Sequence, residues 1–135
     1  MDLELNDGST PLIHAALKSE PESMTALVQR GADVEYENKK DAHTPLMAAA
    51  ASNRCGSIST LCEYCYAKPD HESASGMTAL MLAAVNGHVD ALARLVQHGA
   101  QVNVENKNGE SAFVAAARAN QVRSLSPPHS AAASA

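Results

Sequence analysis

Three cysteines and a histidine near the middle of the sequence have the residue types and spacing of metal ligands. Two residues separate Cys62 from Cys65, Cys55 lies seven positions before Cys62, and His71 lies six positions after Cys65. Two thiolates at this spacing can reach one tetrahedral zinc ion, so a zinc site is one hypothesis. Thiol–disulfide exchange is a second hypothesis, although no βαβ pattern surrounds the pair.

A catalytic triad is another chemistry that the residue types allow. The chain contains 6 histidines together with several serines and aspartates. The sequence has, however, neither a G-x-S-x-G nucleophile elbow nor a Gly-rich phosphate loop. We therefore expect a protein that is not an enzyme, with no catalytic residues and no cofactor.

The elements that would position these side chains are clearest over residues 76–108. A small-residue apolar segment opens at Thr78 and is broken at residues 86–87, and a helical pattern of apolar residues follows over 89–96. Gly99 then suits the left-handed backbone that often follows a helix. This segment predicts a helix, a turn and a second helix, and then an extended stretch and a polar loop.

The same pattern recurs along the chain. It opens at Thr10, Thr44, Thr78 and Ser111, at intervals of 34, 34 and 33 residues. A nearly constant period of this length predicts a tandem-repeat protein. The unit resembles the ankyrin repeat, whose pattern includes G-x-T-P-L-H-x-A-A, a Gly-His turn and G-A-D-V-N. The segments that match are Gly8-Ser9-Thr10-Pro11-Leu12, Gly31-Ala32-Asp33-Val34, Gly76-Met77-Thr78-Ala79-Leu80, Asn86-Gly87-His88 and Gly99-Ala100-Gln101-Val102-Asn103, and the resemblance extends over residues 6–125.

The resemblance implies an all-α fold, an ankyrin-repeat solenoid of stacked helix-turn-helix units with hairpin-like loops. A single repeat cannot bury enough apolar area to offset its ordering entropy, so stability depends on stacked layers such as Leu46 with Leu80 and Leu61 with Leu95. We expect one domain over residues 1–125, with repeats at about 6–39, 40–73, 74–106 and 107–125, and a disordered tail over 126–135.

Three repeats depart from the regular pattern. The loop that ends the first repeat is one residue longer than the loop that ends the third. The second repeat is degenerate in its second half, which makes residues 65–75 the expected weak point. The fourth repeat is short, with an inner helix to about Asn120 and room for only a turn or two of outer helix over residues 121–125.

The repeat pattern also bears on the cysteines. Cys62 aligns with Val96 and Cys55 with Val89, and we expect both positions to face the core. Small buried hydrophobic residues are therefore favoured over zinc ligands, and no metal site is expected. Cys65 aligns with the glycine that follows the outer helix in the first and third repeats.

Composition narrows the classes of partner. The net charge is −5, and the 10 basic residues form no cluster larger than Lys39-Lys40, so we do not expect a nucleic-acid partner. No apolar run is long enough to span a bilayer, and the acidic N-terminal residues do not match a signal peptide, so we expect no membrane partner and a cytoplasmic or nuclear location. An odd count of 3 cysteines fits reduced thiols. We expect a monomer.

The resemblance implies a non-catalytic protein–protein interaction module that recognises another protein through the concave face of its hairpin tips and inner helices. The alternative is a regulatory or structural segment of a larger assembly that docks through its incomplete C-terminal repeat. The candidate partner-binding residues are Lys39, Lys40, Asp41, His43, Met77, Lys107, Asn108 and Glu110 at the tips, and Lys18, Ser52, Asn86 and Arg118 on the inner helices.

An apolar ladder near the tips has two interpretations. It would contain Ile13, Met47, Met77, Met81 and Val114. Flexible thioethers suit an adaptable protein contact, but the same residues can simply pack beneath the next hairpin. We favour packing for Met47 and Met81.

Two further residues follow from the resemblance. It implies that the ring of His88 bridges backbone groups of neighbouring repeats. It also makes Asn103, eight positions after Leu95, a candidate for asparaginyl hydroxylation. We favour the other interpretation, in which Asn103 stays unmodified and forms a hydrogen bond in its hairpin.

Overall fold

The structure, a computed structural model, describes residues 10–40, 42–74 and 76–123, with side chains as far as residue 118. Within these residues the secondary structure is entirely helical, and the predicted all-α solenoid is confirmed. No helix in these ranges is long and apolar enough to cross a membrane. The helices are α1 Pro11–Leu17, α2 Pro21–Gln29, α3 Pro45–Ala51, α4 Cys55–Glu63, α5 Ala79–Val85, α6 Val89–Gln97 and α7 Ala112–Arg123.

Threonine hydroxyls begin the inner helices of the first three repeats. Thr10, Thr44 and Thr78 are buried N-caps with extended backbone. Each hydroxyl accepts a hydrogen bond at 3.2 Å from the backbone N–H three residues later. These bonds satisfy donors that a helix N-terminus leaves without intrahelical partners. The prediction that the three threonines occupy equivalent helix starts is therefore confirmed.

The helices form two rows. The inner row, α1, α3, α5 and α7, packs in sequence order, and the outer row packs α2 against α4 and α4 against α6. Leucine and alanine fill the space between them: Leu46, Leu80, Leu61 and Leu95 are all buried, as predicted. Small side chains in these layers allow the helices to approach closely, so the core needs few aromatic residues.

The hairpins between repeats close at equivalent residues. The backbone N–H groups of Asn38, Ser73 and Asn106 donate to the carbonyl oxygens of residues 43, 77 and 110 at 3.0, 2.9 and 2.8 Å. The first closure spans five residues and the other two span four. The prediction of one additional residue in the first tip is confirmed.

The second repeat also has one additional residue, which lies between the end of its outer helix and the left-handed turn. The left-handed residue after the outer helix is Gly31 in the first repeat and Gly99 in the third, and in the second repeat it is Tyr66, with φ of 58°. The prediction that Cys65 takes this position is wrong. The outer helix is followed by one more residue before the left-handed turn, which leaves the Cys65 side chain buried and moves the strain of a positive φ to Tyr66.

The fourth repeat lacks the predicted break between inner and outer helices. In the first three repeats the chain turns at Ser19, Asn53 and Gly87, which all have positive φ. Helix α7 instead continues through the equivalent position to Arg123, so the predicted outer helix from residue 121 is wrong within the described residues. An outer helix as long as α6 would cover residues 122–130 in this repeat and would include the prolines at 127 and 128, and a proline in a helix interior costs about 3 kcal/mol. The predicted disordered tail, residues 126–135, lies outside the described residues, and the domain boundaries stay a prediction.

Candidate functional site

The three cysteines that suggested metal chemistry differ in their burial. Cys65 is buried, whereas Cys55 and Cys62 are half-buried. The prediction that the last two face the core is confirmed in part, because both pack against the core but neither is fully buried. Their equivalents on α6, Val89 and Val96, are exposed because this helix turns Ala91 and Leu95 inward.

The protonation of the thiols and the contacts of His71 both oppose a zinc site. Burial, together with the charges of Glu63 and Glu35, raises the pKa of Cys62 to about 11, and burial also raises the pKa of Cys65. His71 contacts carboxylates instead of sulfur: its Nε2 lies 2.8 Å from Glu37 and its Nδ1 lies 3.4 Å from Glu35. Across residues 10–40, 42–74 and 76–118, no three His, Cys, Asp or Glu side chains converge as metal ligands.

Acidic side chains connect each hairpin to the next. Glu35 accepts a hydrogen bond from the Lys68 N–H at 2.8 Å, and Asp70, at the equivalent position, accepts from Gln101 at 3.0 Å. Two residues further along, the carboxylate of Glu37 accepts from Ala74 at 2.9 Å, and that of Glu72 accepts from Lys107 at 3.0 Å. These hydrogen bonds therefore fix the position of each hairpin relative to the next along one edge of the stack. This arrangement was not predicted.

Histidine connects the helical part of the stack in the predicted manner. Nε2 of His88 lies 3.0 Å from the carbonyl oxygen of Ala51, at the end of the preceding inner helix. Asn53 adds a second connection, since its side-chain oxygen accepts from the Ala91 N–H at 3.2 Å. The bridging role of His88 is confirmed.

Candidate binding residues on the inner helices form a row that we name the helix-end row. Lys18, Ser52 and Asn86 are each the C-cap of their helix, and all three are exposed. Arg118 on α7 is also exposed and aligns with Val85, one residue before Asn86. These positions belong to one repeated site, where side chains differ without a change in the helices beneath them.

The remaining candidates form the tip row, at the other ends of the inner helices. Lys39, Lys40, Lys107 and Asn108 are exposed, and His43, Met77 and Glu110 are half-buried. Asp41 lies outside the described residues. Glu110 forms an ion pair with Arg118, so the structure brings together one member of each row. An inner helix of seven residues is about 10 Å long, which sets the separation of the two rows.

Most of the apolar ladder is packed inside the protein. Ile13, Met47 and Met81 are buried, which leaves Met77 half-buried and Val114 exposed. The packing interpretation therefore applies to the first three. Asn103 is exposed, and its hydroxylation stays a prediction.

An exposed apolar area at the C-terminal end of the stack was not predicted. Its main residue, Phe113, aligns with Leu12, Leu46 and Leu80, which are buried. A groove of about 350 Å³ lies beside it, lined by Leu80, Ala84, Leu92, Val102, Asn103, Ala112, Phe113 and Ala116. A bulky aromatic residue at a core position of the last repeat was the sequence feature that could have revealed it.

Comparison with known proteins gives consistent similarities. The family described as "Ankyrin repeats (3 copies)" matches residues 1–73 and 60–129. Ankyrin repeat and SOCS box protein 2 of Bos taurus is 32% identical over 98 residues, which are 73% of this chain and 15% of that protein. NF-kappa-B inhibitor alpha of Homo sapiens is 30% identical over 110 residues, 78% of this chain and 34% of that protein. M-phase phosphoprotein 8 of Homo sapiens is 49% identical over 51 residues, 38% of this chain and 6% of that protein. The chain thus spans about a third or less of the length of these relatives.

Proposed function

The chain belongs to the ankyrin repeat family, and we propose that it is a non-catalytic module that recognises another protein through the concave face formed by its tip row and helix-end row. The observation that carries this proposal is the repetition of exposed, chemically different side chains at equivalent positions of a regular stack. Lys18, Ser52 and Asn86 share one backbone position and offer three different chemistries. Such a surface can match a partner residue by residue while the core stays constant.

The charge of this face indicates the kind of partner. Its candidates include five cations, Lys18, Lys39, Lys40, Lys107 and Arg118, and two carboxylates, Asp41 and Glu110, of which Glu110 is paired with Arg118. The whole chain has a net charge of −5. A basic face on an acidic protein favours an acidic segment of a partner protein, since complementary charge increases the association rate and fixes the orientation.

The relatives support the binding class of this proposal. One of them is named as an inhibitor of NF-kappa-B. We further propose that the chain acts as a monomer in the cytoplasm or nucleus, without enzymatic activity, a cofactor or a nucleic-acid ligand. The three free cysteines fit a reducing compartment.

End-on docking is a second candidate function. It is supported by the exposed apolar side chains of Phe113 and of α6 at the C-terminal end of the stack. Apolar area of this kind often marks a contact with another molecule. The two candidates use different surfaces, so substitutions can separate them.

Affinity capture from cell extract followed by mass spectrometry tests the concave-face proposal. We expect the double substitution Lys39→Glu/Lys40→Glu to reduce the recovery of specific partners at least tenfold. The matched control, Arg30→Glu/Arg54→Glu, makes the same change in charge at exposed residues beside the outer helices α2 and α4. Partners that are lost equally with both variants, or with neither, contradict recognition by the tip row.

A further inference from the structure

In the fourth repeat, the described residues leave one residue at a core position uncovered. Phe113 occupies the repeat position of Leu80, yet 80% of Phe113 is exposed and 2% of Leu80. In each earlier repeat this side chain is covered by the layer that follows. No described helix covers it in the fourth.

Helix α6 also has apolar side chains that no described helix covers. Met24 on α2 and Ile58 on α4 are completely buried, because α4 packs against α2 and α6 packs against α4. Their equivalent on α6, Leu92, is only half-buried. With Val89 and Val96 it forms an apolar stripe with the spacing i, i+3 and i+7, which lies along one face of a helix.

These residues are the walls of one continuous groove. The groove of about 350 Å³ beside Phe113 and a neighbouring one of about 310 Å³ beside Val89 share Ala84, Leu92 and Ala116 in their walls. Helix α6 therefore forms one side and α7 the other. Apart from Asn103, Gly87 and His88, the walls are aliphatic or aromatic.

The earlier layers establish what shape fits this groove. The corresponding space between α2 and α3 is occupied by α4, and the corresponding space between α4 and α5 is occupied by α6. The groove is thus a continuation of two interfaces within the protein, and in both of them the occupant is a helix of nine residues. The chain's own next segment is a poor substitute, because residues 122–130 align with α6 and include two prolines.

Polar side chains at the rim of the groove indicate which ligand chemistry would fit there. Asn103 aligns with Glu35 and Asp70, and Glu105 aligns with Glu37 and Glu72, the four side chains that accept hydrogen bonds from the next hairpin. Asn103 and Glu105 are exposed. A ligand in the groove would therefore meet hydrogen-bond acceptors and a negative charge at this edge.

We propose that the groove between α6 and α7 binds a short amphipathic α-helix of a partner protein, with aliphatic side chains on one face and lysine or arginine at the end beside Glu105. The inference deepens the second candidate function and does not depend on recognition by the concave face. Helices that lay an apolar face in such a groove use anchors spaced three, four or seven residues apart.

A helical peptide copied from the chain itself is the probe for this site. It has the sequence of residues 88–98, HVDALARLVQH, with a side-chain bridge to hold the helix and a fluorescent label. In the intact protein the buried Ala91 and Leu95 of this segment face the preceding layers, and the same face should enter the empty groove. We expect saturable binding to the full chain in fluorescence anisotropy, with a Kd of about 10 to 100 μM, in keeping with a small contact area.

Matched variants locate the binding. Phe113→Asp and Val89→Asp should each weaken binding at least tenfold, because each adds a charge to the apolar wall. Tyr66→Asp is the control, since Tyr66 is 81% exposed and lies in the second repeat, away from the groove. A peptide with Leu95→Asp should not bind. Lys39→Glu/Lys40→Glu should change the affinity less than about twofold, so failure of the concave-face proposal and failure of this one give different results.

Three outcomes overturn the proposal. The first is the absence of saturable binding up to about 1 mM peptide, and the second is equal weakening by Tyr66→Asp and Phe113→Asp. The third is evidence that the groove has another natural occupant. Self-association in analytical ultracentrifugation that depends on Phe113 would show that the occupant is a second copy of the chain. Tighter peptide binding by the full chain with Leu125→Asp would show that the occupant is the chain's own C-terminal segment.

Discussion

The pair Leu80→Ala and Phe113→Ala compares the same repeat position in a covered and an uncovered layer. Leu80 is buried between the third repeat and its neighbours, whereas Phe113 extends from the last layer and is 80% exposed. A protein stabilised by contacts between layers should respond to the first substitution and hardly to the second. Residue size alone predicts the opposite order, because phenylalanine loses more atoms than leucine.

The magnitude follows from burial. Replacement of a buried leucine by alanine costs about 2 to 5 kcal/mol through lost transfer energy and the cavity that remains. Replacement of an exposed side chain usually changes stability by less than about 0.5 kcal/mol. A domain of this size has a total stability of about 5 to 15 kcal/mol. Leu80→Ala should therefore remove a large part of the folding free energy, and Leu80→Asp should unfold the stack.

Urea denaturation followed by circular dichroism measures both variants. We expect Leu80→Ala to lower the free energy of unfolding by about 3 kcal/mol, and Phe113→Ala by less than about 0.5 kcal/mol. The slope with urea should be unchanged if the same surface is exposed on unfolding. A loss below about 1 kcal/mol for Leu80→Ala, or equal losses for both variants, would show that Phe113 and Leu80 do not have the different environments described above.

Four other predictions concern single contacts. Burial alone would raise the pKa of Glu37, but its hydrogen bond from Ala74 and its contacts with His71 outweigh burial and lower the pKa below 4.5. The carboxylate of Glu37 therefore stabilises the fold above pH 4.5, and this contribution is lost as the pH falls through the lowered pKa. In urea titrations, Glu37→Gln should reduce stability by about 0.5 kcal/mol at pH 7 and by progressively less as the pH falls below 4.5. His88→Ala should cost about 1 kcal/mol through its lost hydrogen bond, and an unchanged urea midpoint would contradict the bridge. Cys62, with its pKa raised from 9.0 to about 11, should react with iodoacetamide at pH 8 roughly 100-fold more slowly in the folded protein than in urea, and equal rates measured by mass spectrometry would refute this. Asn103 should show no added oxygen in peptides of the protein purified from its own cells, and a mass increase of one oxygen at this residue would establish the hydroxylation.

The repeated part of the fold was predictable because the same local chemistry occurs three times. A threonine before a short apolar segment is both an N-cap and a period marker, so the positions of Thr10, Thr44 and Thr78 in the sequence are sufficient to locate the inner helices. The additional residue in the tip of the first hairpin was predictable for the same reason, since its loop could be compared with that of the third repeat. His88 was predictable as a bridge because its turn is regular.

Departures from regularity were less predictable. The additional residue of the second repeat could be placed at Cys65 or at Tyr66, and only burial of the thiol decides between them. The continuation of α7 required weighing an Asn at a turn position against two prolines further along. Alignment also suggested that Val89 and Val96 were core residues, but the side of a helix that becomes buried depends on whether another layer follows.

The candidate surfaces also differ in how far the sequence predicts them. Positions of the tip row and helix-end row follow from the period, so Lys18, Ser52 and Asn86 could be aligned by counting residues. The groove between α6 and α7 was missed, because no described helix covers α6 on that side and the residue pattern within α6 does not show this; Phe113 at a core position was the one clue in the sequence. The carboxylates that connect the hairpins were also missed, since Glu35 and Glu37 resemble ordinary exposed charges until the next hairpin is placed beside them.

Site-specific photocrosslinking in cells tests the proposed binding face most directly. A photoreactive amino acid would replace Lys40 in the tip row, Asn86 in the helix-end row or, as the control, Arg30 at the end of the outer helix α2. Positions 40 and 86 should give the same crosslinked partner protein, and position 30 should give none. A partner that crosslinks from Arg30 and from neither of the other two positions would contradict it.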